Sequence, residues 1–283
     1  MKITRRALLS SLPLLAQTGN YPPILPGFEK ELYRKVGEVE LNIWILGQAK
    51  GEARPAAVFF FGGGWTGGTP GQFQKQAELL VSHGMVVLLA DYRVKSRHNV
   101  DVPACVSDAK AAMRWTRANA QRLGIDPKRI AAGGGSAGGH LAAATALLPG
   151  FEDGDNLGVS SKPSALLLFN PVLVLAPAEA LDPGLNRALT ERLGGDPKAV
   201  SPFHHLSKNA PPTIIFHGRA DTTVPYPTVA AYQQRATSLG AKCTLEGYEG
   251  QTHGFFNYGR GEFYAKTTER MVQFLRSLGY VKQ

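Results

Sequence analysis

The sequence predicts a single α/β domain: a doubly wound, mostly parallel sheet of eight strands with helices between them. Two observations point there. Short apolar runs with no polar break alternate with longer stretches of helical period, which implies crossover connections and a sheet covered on both faces. Between residues 21 and 283 there is also no internal repeat and no linker of biased composition, so the chain reads as one domain.

The elements follow in order. Residues 32–36 and 39–46 read as two strands joined by the turn Gly37-Glu38. Ala56–Phe61 is an unbroken apolar run, as expected of a strand buried on both sides. A helix near 72–83 leads to the strand Met85–Ala90, which ends at Asp91. Residues 103–123 carry a long helical pattern closed by Gly124 and a turn at Asp126-Pro127. A short strand, Ile130–Gly133, enters Gly-rich sequence and then an Ala-rich helix over 137–148. Ala165–Phe169 and Thr213–His217 are further strands, followed by helix 227–238, strand 242–248 and helix 261–278. The stretch 170–212 is long for a connection inside a domain and reads as an insertion over the site, with a helical piece near 186–194.

The first twenty residues read as a targeting segment rather than as part of the fold. Lys2, Arg5 and Arg6 precede the apolar stretch Ala7–Ala16, and Thr4-Arg5-Arg6-Ala7-Leu8-Leu9 resembles a twin-arginine export signal. This predicts an exported protein; without a working signal it is cytoplasmic. Those three residues also supply part of the formal charge of +9. The remaining basic residues are scattered, without the Lys/Arg blocks and interleaved aromatics of a nucleic-acid surface, so no nucleic-acid partner is expected. No apolar run approaches the roughly 20 residues that span a bilayer. Cys105 and Cys243 are too few for a disulfide framework and fit no zinc pattern. One bridge could form after export, two separate buried thiols are the simpler reading, and the oligomeric state is left open.

The chemistry concentrates in a few loops. Gly134-Gly135-Ser136-Ala137-Gly138 fits G-x-S-x-G, with a strand before it and a helix after it. Such a tight turn requires small neighbours and leaves the Ser136 hydroxyl standing at a helix N-terminus, where negative charge is favoured. Asp221 follows the strand Thr213–His217, and only His253 lies beyond it in the order nucleophile, acid, base. His140, one helical turn past Ser136, reads as a packing residue. Phe61-Gly62-Gly63-Gly64-Trp65 follows a buried strand and fits an oxyanion-binding loop, with the N–H groups of Gly63, Gly64 and Ala137 as donors. Gly62, Gly64 and Gly67 also match G-x-G-x-x-G, with Asp91 at the next strand end, which is the pattern of a dinucleotide-binding oxidoreductase. Against that reading, Gly67-Gly68-Thr69-Pro70-Gly71 would keep a helix from starting inside the motif.

Taken together, Phe61–Trp65, Asp91-Tyr92-Arg93, Gly134–Gly138, Pro171, His217–Pro225 and His253-Gly254-Phe255 resemble the hormone-sensitive-lipase-like and acetyl-esterase branch of the α/β-hydrolases. The resemblance runs from about residue 32 to 280. It implies cofactor-free, metal-free carboxylic ester hydrolysis by Ser136, Asp221 and His253, with a small-molecule or carbohydrate ester as substrate. Bacterial members similar to this chain point to acetyl or feruloyl groups on plant polysaccharides. Two departures stand out: Phe61 occupies the place of a usual His, and the N-terminal cap is expected to be reduced. Trp65 and Phe255 are then the expected aromatic walls of an open cleft. An α/β-hydrolase-fold peptidase is the nearest competing reading.

Overall fold

The strands are set by their apolar alternation. The computed structural model describes residues 21–48, 51, 53–178, 181–182, 185, 190 and 193–282. β1 (Glu29–Val36) and β2 (Val39–Leu46) form an antiparallel hairpin across Gly37-Glu38, and β2 pairs antiparallel with β4 (Val86–Ala90). β3 (Arg54–Phe60) lies between β4 and β5 (Ile125–Gly135), and from there β6 (Ala165–Phe169), β7 (Thr213–Gly218) and β8 (Cys243–Tyr248) follow, all parallel. The order across the single sheet is β1-β2-β4-β3-β5-β6-β7-β8. The predicted doubly wound, mostly parallel eight-stranded sheet is therefore present.

Among the described residues, five longer helices cover it: α1 (Gln74–Ser82), α2 (Val102–Ala118), α3 (Ala137–Leu147), α4 (Tyr226–Ser238) and α5 (Phe263–Ser277). Along β3, Ala56, Val58 and Phe60 face the cluster built with α2, α3 and α4, while Ala57 and Phe59 face the one built with α1 and α5. Both faces are thus dry, which is why these strands carry no polar alternation.

The winding reverses at β3. From β3 the chain steps one way to β4; from β5 it steps the other way to β8. The loop after β3 and the turn after β5 therefore meet at the carboxyl edge of neighbouring strands, where open α/β sheets bind ligands.

Around α2 and β5 the boundaries differ from the sequence reading. The turn expected at Asp126-Pro127 lies inside β5, which pairs with β3 at Arg54↔Ile125 and resumes at Ala56↔Ile130. Residues 126–129 form a bulge closed by the Lys128 N–H donating to Asp126 Oδ1 at 2.9 Å. The long helical pattern breaks at Asn119 into α2 and a short turn, Ala120–Leu123. The targeting segment and most of the helical piece near 186–194 lie outside the described residues. Both cysteines are free thiols, Cys105 buried and Cys243 half-buried, and burial raises both.

One buried carboxylate joins the hairpin to the rest. Asp108 on α2, its side chain fully buried, accepts from Arg93 Nε (2.8 Å), Nη2 (2.9 Å) and backbone N–H (3.0 Å), and pairs with Arg34 of β1 at 3.1 Å. Asp108→Ala leaves the Arg93 guanidinium without its counter-charge and Arg34 with only that of Asp153. Urea unfolding of that variant should show a loss of about 3–5 kcal/mol, and a loss below about 1 kcal/mol contradicts this role.

Candidate active site

The turn after β5 is built by steric exclusion. Ser136 has φ 55 and ψ −119, a conformation that L-residues rarely adopt. It is held there by its N–H donating to Phe169 O at 2.9 Å and by the His140 N–H donating to its carbonyl at 3.0 Å. The glycines two residues to either side are required by space. A Cβ on Gly138 would lie 2.0 Å from Phe60 O, and one on Gly134 would lie 2.4 Å from Gly138 O and 2.6 Å from Phe60 O. The helix entry is thus pressed onto β3, and the half-buried Ser136 side chain points away from the sheet edge.

His253, on the loop after β8, meets it. His253 Nε2 lies 3.0 Å from Ser136 Oγ, and His253 Nδ1 lies 2.7 Å from Asp221 Oδ2. A carboxylate only accepts, so Nδ1 carries the proton and Nε2 presents its lone pair to the serine hydroxyl. Asp221 is fully buried at its side chain. Burial alone would raise its pKa. Hydrogen bonds from His217, His253 and the Val224 N–H outweigh that and hold it well below the usual carboxylate range. Its other oxygen accepts from the N–H groups of Thr223 and Val224, both at 2.9 Å. The three residues singled out in the sequence are therefore brought into one hydrogen-bonded chain.

The loop after β3 runs beside this chain. Tyr92 Oη donates to Phe61 O at 2.8 Å while the two rings stack with centroids 4.1 Å apart, so an aromatic contact fills the place of the usual His. Gly63 and Gly64 both have positive φ. Among the described residues, no acceptor is found for the N–H groups of Gly63, Gly64 and Ala137.

Trp65 and Phe255 are corrections. Both are buried, at 3% and 4% exposure, and neither forms an open wall. Trp65 packs edge-on against His140, and its indole N–H donates to His140 Nδ1 at 3.2 Å. Phe255 packs against Tyr248, Phe256 and Phe263 in the core beneath α5. The dinucleotide pattern also dissolves. No helix starts inside Gly62–Gly67, where the chain makes only a turn closed onto Gly63 O, since the 3-10 helix begins at Pro70; and Asp91 is buried, with Oδ1 accepting the Tyr92 N–H at 2.8 Å.

Three polar residues that motif reading passed over hold the site. Asn170, directly after β6, accepts the Gly254 N–H on Oδ1 at 3.2 Å and places Nδ2 3.4 Å from His253 Nε2. His217 Nε2 donates to Val224 O at 2.8 Å and lies 3.4 Å from Asp221 Oδ2. Gln72 bridges two loops and is treated below. Their one sequence signal is position: Asn170 and His217 stand at the carboxyl ends of strands.

The insertion docks onto α3. His140 accepts from Trp65 on Nδ1, so Nε2 must carry the proton, and it donates to Val200 O at 2.7 Å. Within the insertion, Val174, Leu175, Pro177, Leu181 and Pro197 line a cavity of about 170 Å³; neither Ser136, Asp221 nor His253 lines it. No group of His, Cys, Asp and Glu suited to a metal occurs among the described residues, and no described helix is long and apolar enough to cross a membrane.

Comparison with known proteins agrees with this architecture. A family model of the alpha/beta hydrolase fold matches residues 57–257. Esterase LipQ of Mycobacterium tuberculosis is 30% identical over 262 residues, 84% of this chain and 58% of its own length. The chain spans about half the length of the curated relatives it matches. Esterase 2 of Thermogutta terrifontis, solved in its apo form, superimposes with a TM-score of 0.88 at 47% identity, covering 93% of this chain and 99% of that one. Its propionate-bound form matches with a TM-score of 0.87 at 48% identity over 93% and 99% of the two chains. The butyrate-bound form gives 0.86 at 47% identity over 93% and 98%.

His140 yields a test that needs no substrate. Burial lowers its pKa to about 4, while in the unfolded chain it titrates near the ordinary value of 6.5. Between those values the unfolded chain binds a proton that the folded one refuses, so acid favours unfolding. Stability should fall by about 3 kcal/mol on this account as pH drops from about 6.5 to about 4. Denaturant unfolding of His140→Asn over that range should show a shallower slope; parallel slopes would contradict a buried, neutral His140.

Proposed function

The chain belongs to the alpha/beta hydrolase fold family, and on that premise we propose that it is a serine carboxylesterase acting on short-chain acyl esters. The observation that carries the reading is the hydrogen-bonded chain Ser136 Oγ–His253 Nε2 and His253 Nδ1–Asp221 Oδ2, at 3.0 and 2.7 Å. His253 Nε2 takes the Ser136 proton as Oγ attacks the ester carbonyl carbon, and the carbonyl electron pair moves onto oxygen. The N–H groups of Gly63, Gly64 and Ala137 bind that oxyanion. The imidazolium, stabilised by ionised Asp221, returns its proton to the departing alcohol; water then repeats the sequence and releases the acid.

The acyl preference has separate support. The Thermogutta terrifontis esterase holds propionate in one structure and butyrate in another. By analogy the acyl site here takes two to four carbons, and the alcohol is a carbohydrate in the class the sequence resemblance implies. Tyr258, 63% exposed four residues past Gly254, is the aromatic surface left on this loop once Trp65 and Phe255 are assigned to the core.

Two outcomes follow. Ser136→Ala should lower kcat on the order of 10⁶-fold with circular dichroism unchanged, and adding Asp221→Asn should cost little more, because the three residues act as a unit. Retention of more than a few per cent of activity rules out the assignment. In a p-nitrophenyl ester series, kcat/KM should be highest from acetyl to butyryl and fall beyond about six carbons, because the gain of ~0.8 kcal/mol per buried methylene ends where the acyl site ends. A maximum at decanoyl would overturn the short acyl site. Acetate release from acetylated xylan supports the carbohydrate class; none from any acetylated sugar removes it.

A further inference from the structure

We propose that Gln72 is a positioning residue that clamps the loop carrying Gly63 and Gly64 to the loop carrying His253, so that both are set together for acyl transfer; its functional consequence rests on the esterase reading above. Gln72 lies in the 3-10 turn Pro70–Phe73. That turn is anchored by Phe73, whose ring packs on Phe59, Phe169 and Phe256 in the core.

From this fixed point the side chain reaches two ways. Gln72 Oε1 accepts the Gly62 N–H at 2.6 Å, and Gln72 Nε2 donates to Asn257 Oδ1 at 3.1 Å. Asn257 Nδ2 then donates to Gly254 O at 2.9 Å, next to His253. The orientation of both amides is forced. Gly62 N–H can only donate and Gly254 O can only accept, so a flip of either amide would set like against like. The result is one directed chain of three hydrogen bonds joining loops that are almost 200 residues apart in sequence.

The clamp sits where a small movement matters. A Cβ on Gly62 would lie 3.3 Å from Ser136 Cβ and 2.8 Å from Gly135 O, so the Gly62 backbone abuts the serine turn. Phe61 offers no polar side-chain atom, and the Tyr92 hydroxyl holds only its carbonyl. Gln72 is therefore the side chain that fixes the first N–H of the glycine run. Oxyanion donors and the imidazole act only when held to within about an ångström of the reacting atoms, and misplacement by that much costs on the order of 100-fold.

The test uses Gln72→Met, which keeps the length and loses the hydrogen bonds, Asn257→Leu, the two combined, and Gln72→Glu. Glu still accepts the Gly62 N–H but cannot donate to Asn257 Oδ1. Each variant is read by kcat and KM on p-nitrophenyl acetate and by amide hydrogen exchange. Either Gln72→Met or Asn257→Leu should lower kcat about 10- to 100-fold with KM changed less than about threefold, and the pair should be no worse than the more damaging single change. Exchange should quicken in both 61–68 and 253–258 in either variant. Gln72→Glu breaks the same link as Asn257→Leu while keeping the Gly62 bond, so it should quicken exchange in both segments to the same extent as Asn257→Leu. A kcat within about twofold of wild type, a multiplicative double variant, or exchange in Asn257→Leu that quickens only in 253–258 would overturn the clamp. A wild-type chain inert on every ester overturns the esterase reading instead, and the exchange arm still decides the clamp.

Discussion

The structure depends on one steric constraint: the turn into α3 is pressed against β3 until only glycine fits at 134 and 138. With their Cβ positions 2.0–2.6 Å from backbone oxygens, the chain has no room to relax there. Ser136 is then driven to φ 55, and its hydroxyl emerges beside the glycine loop. Strain of this kind costs on the order of 1–3 kcal/mol and persists only when the surroundings over-determine it. Here they do, because the end of β5 is paired with β3 over Ile130–Gly134 and with β6 over Ala131–Gly135, and α3 is buried from Ala137 to Ala146.

A serine turned out of the sheet is useful only if its partners arrive in register, and each partner comes on a different loop. The loop after β3 is held by Tyr92 and Gln72, the His253 loop by Asn170 and Asn257, and the Asp221 turn by His217 and two backbone N–H groups. All of these are polar side chains at strand ends or in tight turns, fixed by neighbours in the core. Replacement of a loop-ordering histidine by Phe61 fits this picture: the ring stacks on Tyr92, and the hydrogen bonding passes to Gln72.

Much of this was legible in the sequence, for a physical reason in each case. Strands buried on both faces betray themselves by unbroken apolar runs, so Ala165–Phe169 has the same bounds in sequence and structure. β1 begins at Glu29, three residues before its expected start, because its early residues are exposed at the sheet edge and lack the apolar signal. The chain order Ser136, Asp221, His253 is a topological property of the fold, which is why those three residues could be picked from seven histidines and many acids. Trp65 and Phe255 could not be placed, since nothing local tells whether an aromatic after a glycine loop turns to solvent or to the core. Gln72, Asn170 and Asn257 were invisible for another reason. Each has a partner between about 80 and 190 residues away, and a lone amide in a loop carries no periodic signal.

The account stands or falls on a covalent bond at Ser136. Rapid-quench mass spectrometry during turnover of p-nitrophenyl acetate measures it directly. The account predicts one acetyl group per chain, on the peptide that carries Ser136, formed and discharged at rates matching turnover and missing from Ser136→Ala. Steady hydrolysis with no acyl-enzyme, or an acetyl group turning over on any other side chain, would contradict it.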